Sequence, residues 1–305
     1  MLGYIVRRVA GFAPVLFVIV SLSFFLMRLA PGGPFDQDRA LPEQVRANIE
    51  ARYHLNESLW RQYHRYLEDV LRGDLGPSFR YPDRSVNELL GLGFPVSLTL
   101  GLCGLSVAVV LGGVTGVLAA LRRNTFLDYL TMSFALGGIS VPNFVLGPIL
   151  MLVFALWLGW LPVAGWGTWR HLILPSITLG TFYAAYVARL TRAGMLEVIG
   201  QDFIRTARAK GLHEATIVFR HALPSAVVPV VTYLGPASAA VLTGSVVVET
   251  IFSIPGIGRY FVGSALNRDY TMVLGTVVFY SLLLLISNLV VDVIYAFLDP
   301  RVQAR

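Results

Sequence analysis

Six apolar runs constrain this chain more than any other feature. They fall at residues 9–30, 95–121, 131–158, 172–195, 229–250 and 272–297. A helix rises about 1.5 Å per residue, so about 20 apolar residues cross the ~30 Å hydrocarbon core of a bilayer. With no water there, every backbone N–H and C=O must find its partner inside the segment. The expected fold is therefore all-α and integral to a membrane, with six transmembrane helices. Composition agrees: 14% of the 305 residues are charged and the mean hydropathy is +0.67, whereas a soluble domain carries about 25% charge.

The first run follows Arg7 and Arg8 and ends in Arg28-Leu29-Ala30-Pro31. A cleaved signal peptide would have an apolar core of about 7–15 residues and a small-residue cleavage site. Neither is present, so residues 1–30 read as an N-terminal segment and a first span starting in the cytoplasm. Residues 31–94 hold ten acids and eight arginines and read as a small helical extracytoplasmic insert. Val45, Ile49 and Tyr53 recur at helical spacing after Pro42. Asn56 is expected to cap a second helix carrying Leu59, Tyr63, Leu67 and Leu71, stopped by Gly73. Residues 95–297 form the core with spans two to six, including a cytoplasmic loop at 196–228, and 298–305 a cytoplasmic tail.

Counting positive charges tests this topology. With the N-terminus inside, the inner segments hold Arg7, Arg8, Arg122, Arg123, Arg189, Arg192, Arg205, Arg208, Lys210, Arg220, Arg301 and Arg305, against Arg170, Arg259 and Arg268 outside. That bias follows the positive-inside rule and puts both termini in the cytoplasm. Pro95, Pro142, Pro148, Pro175, Pro229 and Pro236 lie in or beside the runs, which neighbouring helices or waters accommodate. Gly112 and Gly116 form a small-xxx-small pair that allows close helix approach. The single Cys103 excludes an internal disulfide and reads as a small buried hydrophobe. Glu249 and Asp292 are acids at or inside apolar runs. Such acids are functional candidates by default, but each lies near an interface, so a structural hydrogen bond near a helix end is the preferred reading. Pro255-Gly256-Ile257-Gly258 reads as a tight turn in an outer-face segment.

Several chemistries are missing. A phosphate-binding Walker loop needs Gly-Lys-Ser/Thr, and the sole lysine, Lys210, sits between Ala209 and Gly211. No H-E-x-x-H occurs; His54, His64, His171, His213 and His221 are scattered. A dinucleotide fingerprint fails because Gly263 falls two positions late and no strand surrounds it. No nucleophile elbow is found. The net charge of +6 is spread along loops, which does not suit nucleic acid. The chain reads as a transport component and not an enzyme.

The strongest polar interruption runs from Asp202 to Pro224, DFIRTARAKGLHEATIVFRHALP. It reads as a helix, a Gly211 turn and a second short helix closed by Leu223-Pro224. Phe203, Ile204 and Ala207 give the first helix an apolar face; Arg205, Arg208 and Lys210 give it a basic one. On charge alone two readings stand: a solvated loop gripping anionic lipid headgroups, or a docking surface for a partner.

The residues at Ala207, Gly211, Leu223 and Pro224 fall at the spacing of the "EAA" loop of permease subunits in binding-protein-dependent ABC importers. The run Arg205-Thr206-Ala207-Arg208-Ala209-Lys210-Gly211 resembles the peptide-permease branch. Arg205, Thr206 and His221 depart from the general pattern (glutamate, alanine, isoleucine) as that branch does. The resemblance covers the whole chain: Met27–Gly32, LPEQVRANIEARYHLNES (41–58), GDLGPSF (73–79), FPVS (94–97), GSVVVETIFSIPGIG (244–258), ALNRDY (265–270) and VDVIYAFLDP (291–300) are similar to oligopeptide permeases of that family, ahead of those for dipeptides, glutathione or nickel. It implies the type I ABC importer permease fold, an inner-membrane location, and four protein partners. A second, similar permease subunit pairs with the chain, two ATPase subunits dock below it, and a periplasmic peptide-binding protein delivers substrate. It implies a coupling site of Phe203, Arg205, Thr206, Ala207, Arg208, Lys210, Gly211, Leu223 and Pro224, with ATP and Mg held by the ATPases and no cofactor in this chain. Membrane lipid is the remaining partner. A proton-coupled carrier, which would favour inverted repeats and midplane ionisable groups, and a membrane receptor with a ligand-binding insert are the competing classes.

Overall fold

The computed structural model describes residues 2–29, 54–81 and 83–298. Among these, the secondary structure is helical apart from one isolated bridge between Pro77 and Ser85. The first span is α1 (Leu2–Ala10) and α2 (Phe12–Leu29), joined at Gly11. The insert contributes α3 (Leu59–Leu71). The core is α4 (Val86–Leu121), α5 (Phe126–Ser140), α6 (Asn143–Leu150) with a π-helical continuation Met151–Trp157, and α7 (Trp169–Ile199). The polar loop forms α8 (Asp202–Ala209), α9 (Glu214–Thr216), a π segment Ile217–Ala222 and α10 (Leu223–Ala226). Then come α11 (Val228–Ile251), α12 (Ile257–Leu266) and α13 (Tyr270–Leu298).

Four helical stretches are long and apolar enough to cross a membrane: Val6–Leu29, Val86–Leu121, Trp169–Ile199 and Tyr270–Ile294. Two bent pairs, Phe126–Ser140 with Asn143–Trp157 and Glu214–Ala226 with Val228–Val241, raise the number to six if each is one span. The expected third span at 131–158 is thus broken, by 108°. The cause is local. Proline disfavours helical geometry in the residue before it, and Val141 sits at φ −95°, ψ 115° ahead of Pro142, which caps α6. Pro95, Pro148, Pro175 and Pro236 lie inside helices without ending them.

The centre of the bundle is the α4–α7 seam. A Cβ on Gly112 would stand 2.5 Å from the Ala184 carbonyl, and one on Gly116 2.6 Å from that of Ala188. Gly180 is as tight against the Gly104 carbonyl from the other side. Between helices in lipid there is little hydrophobic drive, so close backbone approach and dispersion supply the attraction. The small-residue pair therefore does set a close approach, over a longer seam than two glycines. Near the end of the seam that carries the polar loop, Asp128 of α5 is 2% exposed and accepts from Arg192 of α7 through Nε at 2.7 Å and Nη2 at 2.8 Å, and from the Asn124 amide. This forked geometry is the stronger kind of ion pair.

The two acids singled out in the sequence have partners. Glu249 is fully buried at the end of α11 and accepts from Ser97 Oγ (2.7 Å), Ser245 Oγ (2.7 Å) and the Gly258 amide (2.8 Å). The Ile257 amide donates to Ser97 Oγ. Gly256 and Gly258 are required here because a Cβ on either would run into Glu249 or Val246. Asp292 pairs with Arg8 at 2.8 Å, tying α13 to α1.

In the insert, α3 starts after Ser58, not at Asn56 as expected; Ser58 is extended (φ −60°, ψ 146°) and makes no side-chain cap bond. Gly73, at φ +77°, does follow the helix end. The earlier insert helix inferred from Val45, Ile49 and Tyr53 lies outside the described residues. The helix of the second span begins at Val86, inside the segment read as insert, with Ser85 and Glu88 forming a reciprocal capping box. The insert packs through Tyr63 on Phe24 of the first span and Leu274 of α13, and Tyr63 Oη lies 2.6 Å from Ser21 Oγ. Asp269, fully buried before α13, accepts from Ser78 Oγ and the Phe79, Arg80 and Met272 amides, locking the 78–81 strand of chain to α13.

Candidate functional site

The polar loop folds into a unit seated on the end of the bundle opposite Glu249 and Asp269. Its first helix, α8, begins after an extended Gln201 and has Asp202 in its first turn and Arg208 in its last, signs that suit the helix dipole. It ends in a full Schellman motif: Gly211 N–H donates to the Arg208 carbonyl (2.9 Å) and Leu212 N–H to the Ala207 carbonyl (3.3 Å). Gly211 is at φ +75°, a region L-residues enter at a cost of about 1 kcal/mol or more. Nothing lies within 4 Å of where its Cβ would be. Glycine is thus required for backbone conformation and not for space.

Across this turn Arg208 Nε donates to Glu214 Oε1 at 2.8 Å, and His213 Nδ1 accepts from the Ala215 amide, capping α9. The helix then widens into π geometry over Ile217–Ala222 before returning to α at Leu223. Such widened turns concentrate at functional sites. Leu223-Pro224 was expected to close this helix. It does not: the helical path runs on to Ala226 and bends by 53° into α11. Pro224 falls in the first turn of α10, where a missing N–H is tolerated.

The unit has two faces of different chemistry. Ile204 (0% exposed) and Ala207 (6%) point inward and pack with Met195 of α7 and with Ile217, Val218, Ala222 and Ala226. Leu223 packs on the edge of that cluster. A Cβ on Gly194 would overlap the Ala226 carbonyl, so α7 and α10 touch backbone to backbone. Burying an aliphatic side chain such as Ile204 or Ile217 contributes about 1.5–3 kcal/mol. The unit is therefore fastened by apolar contact. Arg205, Thr206, Arg208, Lys210 and Pro224 are exposed. The Asp202–Arg205 pair at 3.3 Å is fully at the surface, where such pairs contribute about 0–1 kcal/mol.

Phe203 departs from the sequence expectation. It stands at the edge of the stripe that buries Ile204 and Ala207, and is 48% exposed. Leu212 and Phe219, not singled out in the sequence, are exposed too, at 40% and 65%. Three large apolar side chains in solvent beside Arg205, Arg208 and Lys210 give this unit an exposed surface of mixed apolar and basic character. The readable signal was an apolar residue on each side of the Gly211 turn in a segment otherwise polar. No group of three or more His, Cys, Asp or Glu side chains able to hold a metal occurs among the described residues.

Comparison with known proteins gives this arrangement a context. Residues 112–304 match the family described as binding-protein-dependent transport system inner membrane component. The chain is 50% identical to the oligopeptide transport system permease protein OppB of Haemophilus influenzae, over 99% of this chain and 100% of that one. It is 48% identical to the dipeptide transport system permease protein DppB of Bacillus subtilis, over 99% and 98%. Among solved structures it resembles the inward-facing MetNI methionine ABC transporter, with a TM-score of 0.57 at 19% identity, over 70% of this chain and 97% of that one. That last likeness is one of fold.

Proposed function

The chain belongs to the binding-protein-dependent transport system inner membrane component family, and we propose that it forms half of the pathway of a peptide ABC importer, with residues 202–226 as its coupling unit. As a permease of such importers it is a transport subunit, and ATP is hydrolysed in a separate subunit. In this reading two ATPases dock beneath it, holding ATP and Mg, and a second permease completes the pathway. A periplasmic binding protein delivers peptide to the opposite face. The membrane is the bacterial inner membrane, with both termini cytoplasmic.

The observation that carries the coupling role is the two-faced loop unit. Its inner face is packed apolar surface continuous with α7 and α11, so a force applied to it moves spans four and five together. Its outer face offers Phe203, Leu212, Phe219, Arg205, Arg208 and Lys210 to a partner. The three exposed apolar side chains add to the cations the apolar contact that a groove on a protein partner would offer. Peptides share a backbone and differ in side chains, so a wide pathway leaves selection to the binding protein.

The test is reconstitution of this chain with its second permease, ATPases and binding protein in liposomes. Uptake of a labelled oligopeptide should require ATP inside and persist when the proton gradient is collapsed. Uptake that follows the proton gradient instead would establish a carrier and refute the proposal. The 48% identity to a dipeptide permease favours dipeptides as the second substrate reading, and competition between peptides of two to five residues separates the two.

A further inference from the structure

A cavity of about 260 Å³ lies at the outer end of the bundle, and the coupling unit takes no part in it. It is walled by the end of α2 (Phe24, Arg28), by the insert helix α3 (Gln62, Tyr66, Asp69) and by Tyr270 at the start of α13. Four charged side chains line it, Arg28, Arg65, Asp69 and Asp74, and of these Arg28 and Asp69 do not meet. Neither Arg28 nor Asp69 has an ion-pair partner among the described residues, although neighbouring charges do pair, as Arg65 with Glu57 at 2.8 Å. The Arg28 guanidinium lies over the rings of Phe24 (5.6 Å) and Tyr270 (5.8 Å). Three further polar atoms on these residues are buried with no hydrogen-bond partner: Arg28 Nε, Gln62 Oε1 and Tyr66 Oη. Burial pushes the Tyr66 hydroxyl above the usual phenol range, so it stays a neutral donor.

Buried polar atoms are nearly always bonded, and an orphan calls for an unseen partner. Here several orphans share one cavity, with a free cation, a free anion and aromatic walls. At roughly 30 Å³ per water, the space exceeds what hydrating them needs. Binding sites combine such walls with a few converging polar groups.

We propose that this cavity binds a short zwitterionic peptide at the outer face, its carboxylate on Arg28 and its ammonium toward Asp69. The role depends on the peptide-importer reading above: the site holds peptide released from the binding protein before it enters the pathway.

The probe is Ala-Ala, titrated calorimetrically into the membrane complex of both permeases and the ATPases in nanodiscs, without binding protein. Saturable binding is expected, weakened at least tenfold by C-terminal amidation of the probe or by Arg28→Met. N-acetylation of the probe should weaken binding to the wild type but make little difference to Asp69→Asn. Arg28→Lys should retain part of the affinity, which separates a lost charge from a misfolded chain. No saturable binding, or binding indifferent to amidation and to Arg28→Met, overturns the site. The same wild-type preparation, given binding protein and ATP in liposomes, is assayed for uptake. Uptake without a titratable site sinks the site alone, whereas a wild type that imports no peptide sinks the importer reading, whatever the titration shows.

Discussion

The corner around Glu249 and the polar loop unit at 202–226 use charge in opposite ways. At the outer end, Glu249 and Asp269 are fully buried and saturated with donors from serine hydroxyls and backbone amides. At the inner end, Asp202, Arg205, Arg208, Lys210 and Glu214 stay in solvent while Ile204, Ala207 and Ile217 do the fastening. A buried acid holds its surroundings in one geometry, because any movement strands donors in a low dielectric. An apolar footing is non-directional and tolerates a load. In the proposed reading, the corner around Glu249 is the fixed part, and the polar loop unit is the part that a partner grips.

The contrast can be broken most severely at Glu249. Replacing it with Leu leaves Ser97, Ser245 and the Gly258 amide without their acceptor. A loss of about 3 kcal/mol or more is expected, because buried donors left without an acceptor cost about 1–3 kcal/mol each, read as a large fall in the thermal unfolding midpoint of the purified complex. Glu249→Gln should lose less, since an amide oxygen still accepts. A Glu249→Leu protein as stable as the wild type would remove the distinction between the two ends.

Gly194→Val attacks the footing of the inner unit. Its side chain would overlap the Ala226 carbonyl, so a loss of about 1–3 kcal/mol is expected for overpacking. Peptide uptake should fall at least tenfold with the membrane spans still inserted, as judged by protease protection. Normal uptake would mean that α7 and the coupling unit need not move as one.

Gly211→Asp should be mild in stability and severe in function. Asp enters positive φ more readily than most residues, and the side chain meets open space, so under about 1 kcal/mol is expected. The new negative charge falls among Arg205, Arg208 and Lys210. The ATPases should no longer co-purify and uptake should stop; full co-purification would count against the docking role. At the smallest scale, Arg205→Ala should change stability by less than about 0.5 kcal/mol, because its pair with Asp202 is solvent-exposed. A larger fall in unfolding temperature would show that the inner charges are structural after all.

Much of this was legible beforehand, for physical reasons that differ by region. Runs of about 20 apolar residues declare spans because hydrocarbon permits little else. Gly211 declared its turn because few residues tolerate its φ, and the structure put it at the C-terminal cap. Phe203 was misassigned because three apolar residues within five positions suggest one buried stripe, while Phe203 stands at the edge of that stripe, about 100° around the helix from the fully buried Ile204. Leu223-Pro224 was read as a helix end because proline usually ends one, whereas in the first turn of a helix its missing N–H has no consequence. Asp128 was passed over because it fell just before the third apolar run; its partner Arg192 lies 64 positions away.

By itself the sequence determined the medium, the helical class and the place where the apolar pattern is interrupted. These follow from local composition and period, which any short window displays. Only the tertiary structure decided which charges are silent and which are available. The sequence placed Glu249 at the end of an apolar run and Arg208 in the polar loop, but named a partner for neither. The first is enclosed by residues 97, 245 and 258, and the second stands at the surface. Whether a charge is solvated depends on what chains distant in sequence bring against it.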